Sequence, residues 1–195
     1  DSDVTISDPE LNAIGHYNGA TLRLVRNGGG NSDDALAFDG TNVTASGANV
    51  IVGGTTVGTY VFTGGQMDVT LNTNATQARV NTLLQNIVYW NWSDTPSGTA
   101  QIDWTFSDAN NGAQGTGGTL TATGSTTVTI VAANDEQVVA TNTGVTVAEN
   151  STGYVITNAM LLTTDVDSSA TQLVYTITSS TTYGILRLNG VVVNN

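Results

Sequence analysis

Carboxylates and carboxamides recur in short clusters along this chain. Asp108 stands with Asn110 and Asn111 after a strand-like run, Asn134-Asp135-Glu136 forms a polar stretch, Glu149 follows, and Asp165-Val166-Asp167 comes later. Oxygen donors of this kind, carboxylate beside amide and backbone carbonyl, suit a hard cation, and Ca2+ takes about six to eight of them. A junction between two β domains can supply such a set from the end of one domain, the linker and the near loops of the next. The charge balance points the same way. Sixteen acids face four bases, all arginine, for a net charge of −12, so the acids outnumber any internal partners. Asp and Asn also cap local backbone N–H groups in turns, and a cluster of this kind taken alone is more often a turn than a ligand.

Other chemistries find little support. The single histidine, His16, lies in the turn-like Gly15-His16-Tyr17-Asn18-Gly19 and has no nucleophile or acid arranged around it. Asp33-Asp34 is a carboxylate pair without an apolar pocket to set the two acids apart. Gly28-Gly29-Gly30 lacks the Lys-Ser/Thr ending of a phosphate loop. The expectation is therefore of a protein that is not an enzyme. Absence of cysteine removes disulfides, zinc fingers and thiol chemistry. An acidic chain makes a poor nucleic-acid partner, and no apolar run reaches the roughly 18 residues of a membrane helix. Tyr89, Trp90 and Trp92 suggest an aromatic platform for sugar, with one of the two tryptophans expected in the core near Trp104.

The elements that must position the acids are strands. Thr, Val, Gly and Asn abound while Lys is absent and Glu rare, as in an all-β chain. Strand-like runs occur at Thr21–Arg26, Ala35–Asp39, Val50–Val52, Gly58–Thr63, Met67–Asn72, Ile87–Ser93, Ala100–Ser107 and Thr119–Val131. Ile102, Trp104 and Phe106 alternate with Asp103, Thr105 and Ser107, so one face of that strand is buried and the other wet. Between Thr76 and Asn86 the apolar spacing turns helical, with Asn74 and Gln77 as a capping pair, which predicts one short helix crossing between sheets. After the polar linker 134–137 a second unit reads as strands at Gly144–Ala148, Gly153–Thr157, Leu173–Ser179 and Gly184–Val193. The fold class is all-β, with tandem Greek-key β-sandwich modules: a first module over 1–133 whose N-terminal strand is expected to be missing, and an incomplete second one over 138–195.

These features carry a resemblance. Asn134-Asp135, Val147-Ala148-Glu149, Asp165-x-Asp167, Leu173-Val174-Tyr175-Thr176-Ile177 and Gly184-Ile185-Leu186 resemble the cadherin-like repeats of large bacterial surface adhesins, specifically the chondroitin-sulfate-proteoglycan type. The first unit is similar to a sister repeat type through Ser7-Asp8-Pro9-Glu10-Leu11, Tyr17-x-Gly19-Ala20-x-Leu22, Arg26-x-Gly28-Gly29 with Asp33-Asp34, the helical segment, Ile87-x-Tyr89-x-Asn91 and Trp104-x-Phe106-Ser107-Asp108. The resemblance implies an exported, extracellular or cell-surface protein whose modules are stiffened by Ca2+. Asp108, Asn134, Asp135, Asp165 and Asp167 would serve the central junction. Asp8 and Glu10, or Asp1 and Asp3, would serve an upstream one, and Glu149 a downstream one. Gln137 stands where such repeats carry proline after Asn-Asp. Partners would be neighbouring modules of the same long chain, identical chains in a filament, sheath or lattice, or surface and matrix glycans.

Overall fold

A computed structural model describes residues 3–112 and 114–193, and the chain divides into two compact units, 1–132 and 133–195. The first unit is an all-β sandwich with two short helices. Helix α1 (Pro9–Ile14) precedes β1 (Thr21–Arg26), β2 (Asp34–Phe38), β3 (Val43–Ser46), β4 (Asn49–Val52), β5 (Thr55–Thr63) and β6 (Gln66–Leu71). Helix α2 (Gln77–Gln85) then leads to β7 (Ile87–Asn91), β8 (Thr99–Ser107) and β9 (Thr121–Thr129). Seven strands form one sheet in the order β3-β4-β5-β6-β1-β8-β9, and β2 with β7 forms a second layer. Every pairing within the two sheets is antiparallel.

The period-2 pattern sets which side chains meet between the layers. In β2, Asp34, Leu36 and Phe38 are buried and Ala35 and Ala37 less so, while Leu22, Met67, Val69 and Phe106 come from the large sheet. Phe38 meets Tyr60 edge-on at 5.1 Å between ring centroids, joining the layers. Helix α2 links β6 in one layer to β7 in the other, burying Val80 and Leu83. Its N-cap is Thr76, whose Oγ1 accepts from the Arg79 N–H, and not Asn74 as the sequence pattern suggested. The side chain of Asn74 instead donates to the Thr56 carbonyl.

Two glycine-rich turns meet backbone to backbone. A Cβ on Gly30 would lie 1.8 Å from the Gly64 carbonyl oxygen, and one on Gly65 would lie 2.5 Å from that of Asn31. Gly30 is therefore a seat for the β5–β6 turn. Gly30→Ala is expected to destabilise the first unit by about 1–3 kcal/mol, because backbone must move on both sides. Equilibrium urea unfolding measures it, and a change within error of zero would show that the two turns part freely. After β2, Asp39 folds the chain into β3: its carboxylate accepts from the N–H groups of Thr41, Asn42 and Val43. Those donors, Asn42 foremost, hold its carboxyl below the usual carboxylate range.

The second unit is built of short ladders. β10 (Val138–Asn142) pairs antiparallel with β11 (Leu161–Thr164) across a bulge, and β12 (Arg187–Leu188) pairs with β13 (Val191–Val192). Asn189 and Gly190 turn the second hairpin with φ of 50° and 83°, the left-handed pair that Asn-Gly supplies. Strands expected at Gly144–Ala148, Gly153–Thr157 and Leu173–Ser179 do not form among the described residues, and the run Gly184–Val193 shrinks to this hairpin. Alternation marks a face, but a strand also needs a ladder to receive its N–H and C=O groups, and no strand among the described residues pairs with these segments. Val155, Val174 and Ile185 are accordingly exposed.

Candidate cation-binding turn in the second unit

Asp135, Asp165 and Asp167 of the second unit lie around one turn. It follows β11, where Asp165 folds the chain back on itself: its Oδ1 accepts from the N–H groups of Asp167 at 2.8 Å and Ser168 at 2.7 Å. This is the Asx geometry in which an aspartate stands in for a backbone carbonyl. Its other oxygen, Oδ2, is buried and has no hydrogen-bond partner among the described residues. The polar stretch before β10 comes to the same place. Asp135 donates its N–H to Asp167 Oδ2 at 2.7 Å, and the Asn134 side-chain amide donates to the Asp135 carbonyl at 3.0 Å. The β10–β11 ladder explains the meeting, since Val138 pairs with Thr164 and sets 135 beside 167.

Asn134, Asp135, Asp165 and Asp167 are thus brought together. A buried acceptor oxygen without a protein donor has room for a cation or a water as its partner. The donor set is carboxylate and amide, the hard oxygens that Ca2+ prefers, so the residues suit that ion in kind. In number they are few: no three Asp, Glu or His side chains among the described residues converge into a group able to hold a metal.

The remaining candidates lie elsewhere. Asp108 is buried in the first unit, where Oδ1 accepts from the N–H groups of Asn110 at 3.0 Å and Leu120 at 2.9 Å. It organises the loop from β8 to β9, helped by Asn110 Oδ1, which accepts from Gly112. Asp8 is the N-cap of α1, its Oδ1 accepting from Leu11 N–H at 2.8 Å, with Pro9 opening the first turn and Glu10 exposed within it. Asp1 lies outside the described residues, and Asp3 sits exposed in a turn. Glu149 does not end a strand; it lies exposed in a turn with Asn150 at φ 64°.

Sequence patterns passed over one buried site. Asp34, read as half of a bare carboxylate pair, is 3% exposed and takes Arg26 Nη1 at 3.0 and 3.2 Å on its two oxygens. Tyr89 Oη and Asn91 Nδ2 also donate to its Oδ1, so three donors from β1 and β7 converge on one carboxylate of β2. Burial first, then the bond to Asp34, pushes the Tyr89 phenol above its ordinary value. The signal was present in the alternation of Asp34, Leu36 and Phe38, which turns the aspartate inward.

On the opposite face of β7 the aromatic expectation needs correction. Trp90 and Trp92 are 46% and 69% exposed, and neither enters the core. Residues two apart on a strand share a face, and Tyr89 and Asn91 occupy the inner one. His16 accepts a long hydrogen bond from Asn18 N–H within its turn. No helix among the described residues is long and apolar enough to cross a membrane.

Comparison with known families gives one match: residues 138–195 fit a family model described as cadherin-like. Searches of curated proteins and of solved structures find no match.

Proposed function

We propose that this chain is a non-catalytic structural or adhesion segment of a large, repetitive extracellular protein, in which Ca2+ stiffens the passage between modules. The observation that carries it is the cadherin-like match, which begins at Val138, directly after the Asn134-Asp135 stretch whose backbone meets Asp167. Modules of that class are in general adhesive or structural and extracellular, and the all-β fold is in keeping with that work. The resemblance to bacterial surface adhesins extends the proposal to a spacer that holds a distal domain away from a cell. In this reading Asp165 and Asp167 hold the ion, with Asn134 and Asp135 closing over it. Asp108, Asp8, Glu10 and Glu149 are proposed ligands of junctions with neighbouring modules. Identical chains assembling into a filament is the second reading, favoured by the exposed Val191 and Val192 of a two-residue edge strand. A glycan-binding module is the third, favoured by exposed Trp90 and Trp92.

Thermal melting in EGTA and in millimolar Ca2+ tests the proposal. An ion that binds only the folded state adds about 2.7 kcal/mol at a hundredfold excess over Kd. The second unit is expected to melt several degrees higher with Ca2+, and Asp165→Asn or Asp167→Asn is expected to abolish the rise. An unchanged melt in the parent chain would remove calcium from the function.

A further inference from the structure

Among the described residues, the small layer of the first unit is two strands wide over a sheet of seven, so part of the large sheet's inner face has no described strand above it. At the β8–β9 end a cavity of about 170 Å3 remains. Its floor is Leu24, Ile102, Trp104 and Val128, and Ile87 and Ile6 stand over it. No charged side chain lines it, although the chain carries sixteen acids. The register explains why the space stays open. Trp104 pairs with Gly124, and a Cβ there would lie 2.3 Å from the indole Cζ2. The glycine lets the indole lie against β9 instead of standing up into the gap.

One wall is a strap. Val4–Ile6 belongs to no helix or ladder. Its backbone is held by amides one turn apart on α2: Gln77 Nε2 donates to the Ile6 carbonyl at 3.0 Å, Ile6 N–H donates to Asn81 Oδ1 at 2.9 Å, and Gln85 Nε2 donates to the Val4 carbonyl at 3.0 Å. Side-chain bonds of this kind exchange with water more readily than a ladder buried in a sheet. On the other side, Thr126 lines the cavity and is itself exposed, which sets the mouth beside β9.

We infer that this cavity is a binding site for a small uncharged apolar molecule, about the size of a single aromatic ring, held between the strap and the β8–β9 face. An enclosed apolar cavity of about 150 Å3 takes up benzene; this one is of like volume and mainly apolar lining, and it opens to solvent beside Thr126. Charged or strongly polar ligands would lose their hydration without a partner here.

Benzene titrated into the full chain, followed by methyl NMR, is the test. Saturable shifts are expected at Leu24, Ile102 and Val128, with none at Val43 or Val50 in the filled part of the core, together with a higher melting temperature. Thr126→Trp, a change at an exposed position that fills the mouth, is expected to weaken benzene at least tenfold while the chain stays folded. Shifts that do not saturate, shifts spread over the whole core, or equal binding in Thr126→Trp would each overturn the inference. So would a concentration-dependent dimer in which the strap of a second copy fills the cavity.

Discussion

Asp34→Ala is expected to lower the stability of the first unit by about 3–5 kcal/mol, the cost of breaking a buried ion pair from one side. The carboxylate has 1% of its side chain exposed, against 19% for Arg26, so removing it strands donors that water reaches poorly. Arg26 Nη1, Tyr89 Oη and Asn91 Nδ2 all lose their acceptor, while Arg26 Nη2 keeps Ser97 Oγ at 2.7 Å. Three strands are pinned by one residue, and urea unfolding of the variant would measure the loss. A drop below about 1 kcal/mol, typical of exposed pairs, would mean that water enters and replaces the carboxylate. The same variant has a spectroscopic signature. Tyr89 titrates above 10.0 in the folded chain, with Asp34 contributing to the rise after burial. A raised folded value means stability that is whole below the unfolded pKa and lost as pH climbs through the folded one. In Asp34→Ala the tyrosinate absorbance of Tyr89 is expected to move back toward 10.0.

Tyr17→Ala is expected to cost about 3–5 kcal/mol as well, by the different route of an emptied core. Its ring is wholly buried and stands edge-on to Phe106 at 6.1 Å between centroids. Its hydroxyl accepts from Asp8 N–H at 3.2 Å and donates to Asn12 Oδ1 at 2.9 Å, fastening α1 to the sandwich. Tyr17→Phe separates the two contributions: it keeps the ring and forfeits only the hydrogen bonds, for about 1 kcal/mol. Thermal or urea unfolding of the pair would show it, and equal losses in both variants would place the whole effect in the hydroxyl. Burial raises the Tyr17 phenol too, so this contribution is whole below 10.0 and fades at higher pH.

How far the sequence reveals this molecule depends on whether a feature is local. Alternation at Ile102, Trp104 and Phe106 is local, and β8 turns those three residues toward the other layer. The helical spacing of Val80, Leu83 and Leu84 is local, and α2 forms across 77–85. Helix α1 is also written locally, as Asp8 at the cap and Pro9 at the first position, but six residues are too few for periodicity and an aspartate there reads equally as a ligand. Pairing is not local. The strand-like character of Leu173–Ser179 says nothing about which edge it would join, and no ladder among the described residues receives it. The Asp34 network joins residues 8, 55 and 57 positions from it in sequence, which no motif length spans. In the second unit, by contrast, only charge and resemblance point to Asn134-Asp135 and Asp165-x-Asp167 acting together. Their meeting comes from the Val138–Thr164 register, a property of the ladder and not of the motif.

The strap over α2 bears on how the first unit takes a load. A pull entering at its N-terminal end reaches Val4–Ile6 before any sheet, and there it meets the three amide hydrogen bonds of Gln77, Asn81 and Gln85. Those bonds give way one by one and let out a few residues of slack. The pull then passes through α1 to β1, which is flanked along its length by β6 and β8, both antiparallel to it. Drawn along its own axis, β1 must break two ladders together instead of peeling from one. Under such a load the unit is expected to yield first at the strap and to resist at the two ladders of β1, which single-molecule stretching would show as a small early extension before the main rupture.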